Sequence, residues 1–118
     1  MVTSPEVLRQ IADMTDHGKF IAGAPACLVV FAADGKYYLE DCCAAIENAM
    51  LEATSLKIGS CWVAGDKKPY AAAVNSALGV PDTFKLVGLV AFGYPLAPKA
   101  LRIIDKRKLK DVLHWEKF

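Results

Sequence analysis

Side chains that commonly carry out chemistry are few in this sequence, and their spacing matches no common catalytic or metal-binding pattern. The cysteines are Cys27, Cys42, Cys43 and Cys61. Because no C-x-x-C pair occurs, neither a zinc site nor a dithiol redox centre is indicated, and reduced thiols packed in the interior are the simpler interpretation. His17 and His114 lie far apart and lack a partner at ligand spacing. No Ser/His/Asp arrangement, P-loop or G-x-G-x-x-G motif is present. We therefore predict no metal site and name no catalytic side chain.

Composition limits the partners that this chain is expected to have. Its 118 residues suit one domain, residues 1–118, and with 54% hydrophobic and 23% charged residues it has enough apolar material for a core. The net charge of +1 gives no general attraction to nucleic acid or to an anionic membrane. No apolar run approaches the roughly 18 residues of a membrane span, and the N-terminus has no signal-peptide pattern. We expect a cytoplasmic protein.

The first half of the sequence predicts a helix, a strand and a second helix. A helix from Pro5 to about Met14 is indicated, because Ser4 suits the N-cap and proline the first turn. The apolar run from Ala26 to Ala33 is typical of a strand buried on both faces. Tyr37 to Leu39 is predicted as a brief extended piece.

A long helix is predicted from Cys42 to Leu56, with Asp41 as its cap. It is apolar around most of its circumference, and a domain of this size has little material to cover such a helix. We therefore predict a homodimer with this helix in the interface. Asn48 and Glu52 lie one turn apart, and either hydrogen bonds across the dimer or exposure to water would suit them.

The second half predicts two more strands with a helix between them. The strands are Gly59 to Gly65 and Phe84 to Tyr94, and the helix runs from Asp66 as cap to Leu78, with Gly79 as a left-handed stop. Strands that are apolar on both faces and alternate with helices predict a central sheet with helices on both sides.

The C-terminal stretch from Pro95 to Phe118 combines basic and large apolar residues. Its basic residues include Lys99, Arg102, Lys106, Arg107, Lys108 and Lys110, and its apolar residues include Leu101, Ile103, Ile104, Leu109, Val112, Leu113, Trp115 and Phe118. Leaving so many large apolar groups in water is unfavourable. We predict that Leu109, Val112, Leu113, Trp115 and Phe118 are substantially buried, either on the chain's own sheet or, preferably, against a partner subunit.

Three segments in order resemble the nitroreductase family of flavoproteins. The first, residues 18–65, contains A-P, an apolar strand, an aspartate, a long helix and the sequence GSCWVAG. The second is ALGVPDTFKLVGLVAFGYP, and the third is the basic C-terminus DKRKLKDVLHWEKF. The resemblance covers almost the whole chain and is carried by the combination of segments.

This resemblance implies an α+β fold with a central mixed or antiparallel sheet flanked by helices. It also implies a homodimer with FMN at the interface, in which NAD(P)H reduces the flavin and the flavin reduces a nitroaromatic, quinone or similar small acceptor. Trp62, Val63, Ala64 and Gly65 match the family segment against the flavin ring, where a peptide N–H can point at N5. From the residues alone, that segment is equally an ordinary strand end with Gly65 forming a turn.

Lys106 and Arg107 match the family's basic pair near the C-terminus, which reaches the FMN phosphate. Taken by itself, such a run is usually a solvated basic face. The arginine-rich N-terminal segment of the family has no counterpart in residues 1–118, and Lys57 stands where the family usually has a glycine. We therefore expect a partial domain, truncated at the N-terminus, that alone binds FMN weakly. The alternative is a non-catalytic dimerisation domain, either truncated or one half of a split flavoprotein.

Overall fold

The computed structural model describes residues 1–95 and 105–118, and its core is an antiparallel sheet with helices on both faces. The helices are α1 (Pro5–Met14), α2 (Tyr38–Ser55) and α3 (Ala71–Ala77), and the strands are β1 (Ala26–Ala33), β2 (Gly59–Ala64) and β3 (Phe84–Gly93). Short 3-10 turns occupy Lys19–Gly23 and Leu109–Asp111. The strand order is β1-β3-β2, so in the described residues β3 is central and the other two strands are edges.

The apolar faces of the sheet bury two separate clusters. One cluster joins Leu8 and Ile11 of α1, Val74 of α3 and Leu89 of β3, and the other packs Ile46 of α2 on Val90. This layered arrangement confirms the α+β fold class and the prediction of helices on both sides of the sheet.

A β-bulge in β3 shapes the α2 face of the sheet. The register passes from Val30 opposite Gly88 to Phe31 opposite Leu86, which leaves Val87 as the extra residue. A Cβ on Gly88 would lie 2.5 Å from Nε1 of Trp62 and 2.9 Å from Cδ1 of Ile46. Glycine at this position therefore makes room for the Trp62 indole.

Helix α1 forms as the sequence predicts. The Ser4 hydroxyl accepts a hydrogen bond from the Val7 N–H at 3.5 Å, and Pro5 occupies the first helical position. Leu8 and Ile11 are fully buried in the core.

Helix α2 begins four residues before the predicted start, so the predicted cap at Asp41 and the extended piece at Tyr37–Leu39 are wrong. Tertiary contacts explain the difference. The Tyr38 hydroxyl donates to an Asp66 carboxylate oxygen at 2.8 Å, and Nζ of Lys85 lies 4.5 Å from the centre of the Tyr38 ring. These contacts hold the first turn of the helix against distant parts of the chain, and local sequence carries no sign of them.

Helix α3 is shorter than predicted, since it begins at Ala71 and Asp66 does not cap it. The Asp66 side chain instead accepts the hydrogen bond from Tyr38. Lys67 has a left-handed φ of 56°, which keeps the residues after β2 out of a helix. The stop at Gly79 is confirmed, with a φ of 66°.

The outer face of α2 is uncovered in the single chain. Only Ile46 and Ala53 of this helix are buried, whereas Leu51 is 59% exposed and Leu56, just after the helix, 58% exposed. Such a face agrees with the reasoning that led to a dimer, and the dimer itself stays a prediction.

The C-terminal residues 105–118 are exposed along their whole length. Trp115 is 83% exposed, and the other predicted members Leu109, Val112, Leu113 and Phe118 are also exposed. Burial of these side chains on the chain's own sheet is therefore wrong, and burial against a partner stays a prediction. The residues Lys99, Leu101, Arg102, Ile103 and Ile104 lie outside the described part of the chain.

Candidate functional site

The outer edge of β2 presents free backbone groups at the segment predicted to bind a planar ligand. The Gly65 N–H donates to the Val87 carbonyl at 3.0 Å, and Ala64 lies opposite Gly88. Hydrogen bonding alternates along an antiparallel pair, so residues 65, 63 and 61 face β3 while Trp62 and Ala64 turn their N–H groups outward. In the described residues no further strand pairs with this edge, and the Tyr70 hydroxyl is bonded to its Ala64 carbonyl.

Ala64 is the residue of this edge best placed to donate to a ligand. Its carbonyl accepts a hydrogen bond from the Tyr70 hydroxyl, which holds the Ala64–Gly65 peptide at the strand end. Its side chain is only a methyl group and the residue is exposed. A flat ring can therefore approach the Ala64 N–H closely.

Trp62 forms one side of the same region. Its indole packs over Gly88 and beside Ile46, as the space at Gly88 shows, and 36% of the residue remains exposed. An aromatic face held by core packing is a suitable surface for a ligand ring.

Val63 and Gly65 are involved in packing within the sheet and its core. Val63 is 6% exposed and belongs to the cluster beneath α1 and α3. A Cβ on Gly65 would lie 2.6 Å from Cγ of Leu86 and 3.0 Å from the Gly88 nitrogen. The Gly65 N–H is already bonded within the sheet, so of the four predicted residues Trp62 and Ala64 are the two whose backbone N–H groups point to the open edge.

A polar network anchors the loop that follows β2. Tyr38 donates to Asp66, whose backbone N–H donates to the Val87 carbonyl at 3.2 Å. Lys85 bridges the network to Asp34, with its Nζ 2.6 Å from a carboxylate oxygen. The Asp66 hydrogen bond raises the pKa of Tyr38, and the Asp34 hydrogen bond raises the pKa of Lys85. Sequence reasoning missed Tyr38 and Asp66, because they lie 28 positions apart and match no motif.

Two surface grooves flank the sheet at opposite ends of β2. A polar groove of about 480 Å³ is lined by Tyr38, Asp66, Asn75, Asp82 and Lys85, among others. Asn75 donates from Nδ2 to the Phe84 carbonyl at 2.8 Å and holds β3 against α3. A more apolar groove of about 460 Å³ lies at the start of β2, with Phe20, Pro25, Cys61, Phe92 and Tyr94 in its wall. None of the predicted site residues lines either groove.

The structure does not bring Lys106 and Arg107 to the β2 edge. Both are exposed, and within residues 1–95 and 105–118 no hydrogen bond or ion pair joins them to Trp62–Gly65. A phosphate contact from these residues to the same ligand would need the tail of a second chain or another tail position.

The remaining candidates from the sequence are the four cysteines and the pair Asn48 and Glu52. All four cysteines are free, but the prediction of thiols packed in the interior is confirmed only for Cys27, since Cys42 and Cys43 are partly buried and Cys61 is exposed. Burial raises the pKa of the Cys27 thiol to about 11. Asn48 and Glu52 are exposed on α2, so both earlier interpretations of them stand.

Among the described residues no group of three or more His, Cys, Asp and Glu side chains could hold a metal ion. No helix of the described chain has the length and apolarity needed to cross a membrane.

Comparison with known proteins places the chain in one family. The sequence pattern described as the nitroreductase family matches residues 3–94. A protein of Archaeoglobus fulgidus named "Putative NADH dehydrogenase/NAD(P)H nitroreductase" is 31% identical over 125 aligned positions, which cover 100% of this chain and 72% of the relative.

Solved structures agree in fold. An FMN-dependent nitroreductase from Clostridium difficile superposes with a TM-score of 0.83 at 21% identity, over 99% of this chain and 73% of the other. A nitroreductase with bound FMN from Bacteroides fragilis superposes with a TM-score of 0.66 at 30% identity, over 97% of this chain and 72% of the other. The chain belongs to the nitroreductase family, which is a family of oxidoreductases.

Proposed function

We propose that this chain is the ring-binding part of an FMN-dependent oxidoreductase that takes electrons from NAD(P)H and passes them to a small nitroaromatic or quinone-like acceptor. The observation that carries the proposal is the outward-facing N–H of Ala64 on an edge strand, beside the exposed indole of Trp62. The relatives named for FMN support the choice of cofactor.

The residues of the β2 edge suit a flavin ring. The Ala64 N–H would donate to N5 or to a neighbouring acceptor of the ring, and Trp62 would limit access from one side. Gly65 and Val63 would hold the strand in place from beneath. When bound, FMN supplies the hydride and electron chemistry, and the protein supplies position, hydrogen bonds and exclusion of water.

Positive charge for the phosphate would come from Lys106 and Arg107. An arginine fork can donate to two phosphate oxygens at once, which favours Arg107 over a lysine. Since the single chain keeps this pair apart from β2, we propose that the tail of one subunit completes the site of the other. The exposed apolar face of α2 supports the required homodimer. A cytoplasmic location would suit the four free cysteines.

Titration of the purified chain with FMN, followed by flavin fluorescence, tests the proposal. We expect weak, micromolar or poorer binding. Residues 1–118 contain no counterpart of the arginine-rich segment with which the family binds the FMN phosphate. Two charge-assisted hydrogen bonds fewer to the phosphate would cost on the order of 3–6 kcal/mol, or about two to four decades of affinity relative to a nanomolar flavoprotein. Arg107→Ala should abolish the remaining binding.

Lys110→Ala, which removes a positive charge from the same tail, is the matched control and should change FMN affinity little. No uptake of FMN at millimolar concentration, with the fold intact by circular dichroism, would contradict the cofactor proposal. Equal losses in the two variants would contradict the role of Arg107.

A non-catalytic dimerisation domain is the second candidate. Lys57 favours it, because its left-handed φ of 61° lies at a position where the resemblance leads us to expect glycine. The two candidates predict different rates of NAD(P)H oxidation when FMN and a quinone acceptor are added. A rate above that of free FMN supports the enzyme.

A further inference from the structure

The Ala64 backbone turns two polar groups to the outer edge of β2, and one of them already has a partner. In an antiparallel pair the N–H and the carbonyl of one residue point to the same side, and at Ala64 that side faces away from β3. The Tyr70 hydroxyl, six residues further along the chain, donates a hydrogen bond to this carbonyl. Within residues 1–95 and 105–118 the carbonyl is thus occupied, and the N–H is left for a ligand.

The fold holds the Tyr70 hydroxyl in place before any ligand arrives. The residue is 8% exposed and belongs to the core cluster beneath α1 and α3. Its backbone carbonyl accepts a hydrogen bond from the Val74 N–H at 3.0 Å at the start of α3. In the loop before it, the Lys68 N–H donates to the Gly65 carbonyl at 3.2 Å. The contact with the strand end is therefore built into the connection between β2 and α3.

The direction of this hydrogen bond follows from the two groups that form it. A carbonyl oxygen can only accept, so the Tyr70 hydroxyl is the donor. Burial, with a smaller contribution from the Asp16 carboxylate, raises the pKa of Tyr70 above its ordinary value of 10.0. The hydroxyl therefore keeps its proton at neutral pH, and the Ala64 carbonyl stays capped.

A capped carbonyl changes which ligand atoms are favoured at Ala64. A bare carbonyl oxygen repels the lone pair of an acceptor and attracts an N–H or O–H donor. The Tyr70 proton satisfies that oxygen, and the phenol ring occupies space through which a donor of the ligand would approach it. What remains is the Ala64 N–H, which pairs with acceptors alone. This position of the edge therefore discriminates between an acceptor and a donor on the ligand.

We propose that Tyr70 is a positioning residue that sets the redox preference of the flavin site, because it leaves Ala64 with a donor and without an acceptor. N5 accepts a hydrogen bond in oxidised FMN and carries a hydrogen in the two-electron-reduced form. The capped edge thus favours oxidised FMN, and tighter binding of that form lowers the reduction potential of the bound flavin. This role rests on the flavin site proposed above, and Tyr70 acts on the ring only through Ala64.

Removal of the Tyr70 hydroxyl with retention of its ring tests this role. Tyr70→Phe should weaken binding of oxidised FMN by about two- to tenfold, the size of one hydrogen bond. Binding of FMN reduced with dithionite should not weaken, because the freed Ala64 carbonyl accepts from its N5–H. Ultrafiltration under argon, followed by assay of the unbound flavin, measures both dissociation constants. Tyr37→Phe removes a hydroxyl from an exposed residue and should leave the ratio of the two constants unchanged.

A change in the ratio of the two dissociation constants separates this role from a purely structural one. Equal weakening of both forms, or no change in either, would overturn it and leave the flavin site in place. If neither form binds the unaltered chain, the proposed function fails and this role fails with it. If Tyr70→Phe does not fold, as judged by circular dichroism, 3-fluorotyrosine at residue 70 replaces it. This stronger donor should shift the ratio toward oxidised FMN, and an unshifted ratio would then overturn the role of Tyr70.

Discussion

Gly65 has a packing role within the sheet. The space for a Cβ is already taken by Leu86 and by the β3 backbone at Gly88. Gly65→Ala should therefore lower the free energy of unfolding by about 1–3 kcal/mol, as overpacking does. Gly35→Ala is the control, because nothing lies within 4 Å of its Cβ position and the change should cost little. Urea unfolding of both variants measures the difference, and equal midpoints would contradict this account of Gly65.

Tyr38 should make stability depend on pH in the alkaline range. Its hydrogen bond to Asp66 raises its pKa above the ordinary value of 10.0. A raised folded-state pKa gives stability that is complete below the unfolded pKa and is lost as the pH rises through the folded pKa. We expect Tyr38→Phe to reduce this alkaline decline in urea midpoint. Tyr37→Phe changes an exposed neighbour and should leave the decline as it is. A wild-type profile in Tyr38→Phe would count against the contact.

Helices α2 and α3 end with the same pattern of backbone hydrogen bonds, although the residues that form it differ. After α2, Lys57 N–H donates to Thr54 and Ile58 N–H to Ala53, and after α3 the equivalent bonds run from Gly79 and Val80. Each cap needs one left-handed residue, which is Lys57 after α2 and Gly79 after α3.

Substitutions at these two cap positions should change the free energy of unfolding in opposite directions. Lys57→Gly should stabilise the chain by about 0.5–1 kcal/mol, because glycine adopts positive φ without steric cost. Gly79→Ala should destabilise it by about 1 kcal/mol for the same reason. Thermal unfolding should show shifts of a few degrees in opposite directions. A lower melting temperature for Lys57→Gly would show that the lysine side chain makes a compensating contact.

The success of sequence reasoning differed between elements for physical reasons. The strands were predicted to within a residue or so, because continuous apolar runs follow directly from burial between two helical layers. The start of α2 was missed, since the Tyr38–Asp66 hydrogen bond that fixes it exists only in the folded chain. For the candidate site, the sequence predicts the β2 segment, and that stays a prediction, but only the register of β2 on β3 shows which of its residues face outward.

The described residues spread further than those of a compact chain of this length. Their radius of gyration is 16.3 Å, whereas about 13–14 Å is expected for a globular domain of this size. The exposed tail and the open α2 face both leave apolar groups in water. Association of two chains is the simplest way to bury them.

Light scattering at micromolar concentration should therefore give twice the chain mass. Leu51→Glu on α2 and deletion from Lys108 onward should each shift the protein toward monomer, because each removes apolar contact from the proposed interface. Phe84→Glu alters an exposed apolar residue that belongs to neither α2 nor the tail and should leave the dimer intact. A monomer mass for the unaltered chain would contradict the dimer.

The unequal environments of Trp62 and Trp115 give this protein two separate fluorescent reporters. Trp62 is partly enclosed beside Gly88, whereas Trp115 stands 83% exposed in the tail. Emission from Trp115 should therefore lie further to the red and should shift to the blue when the tail docks. A flavin at the β2 edge should quench Trp62 first. Variants that keep one tryptophan each would thus record tail docking and cofactor binding as independent signals.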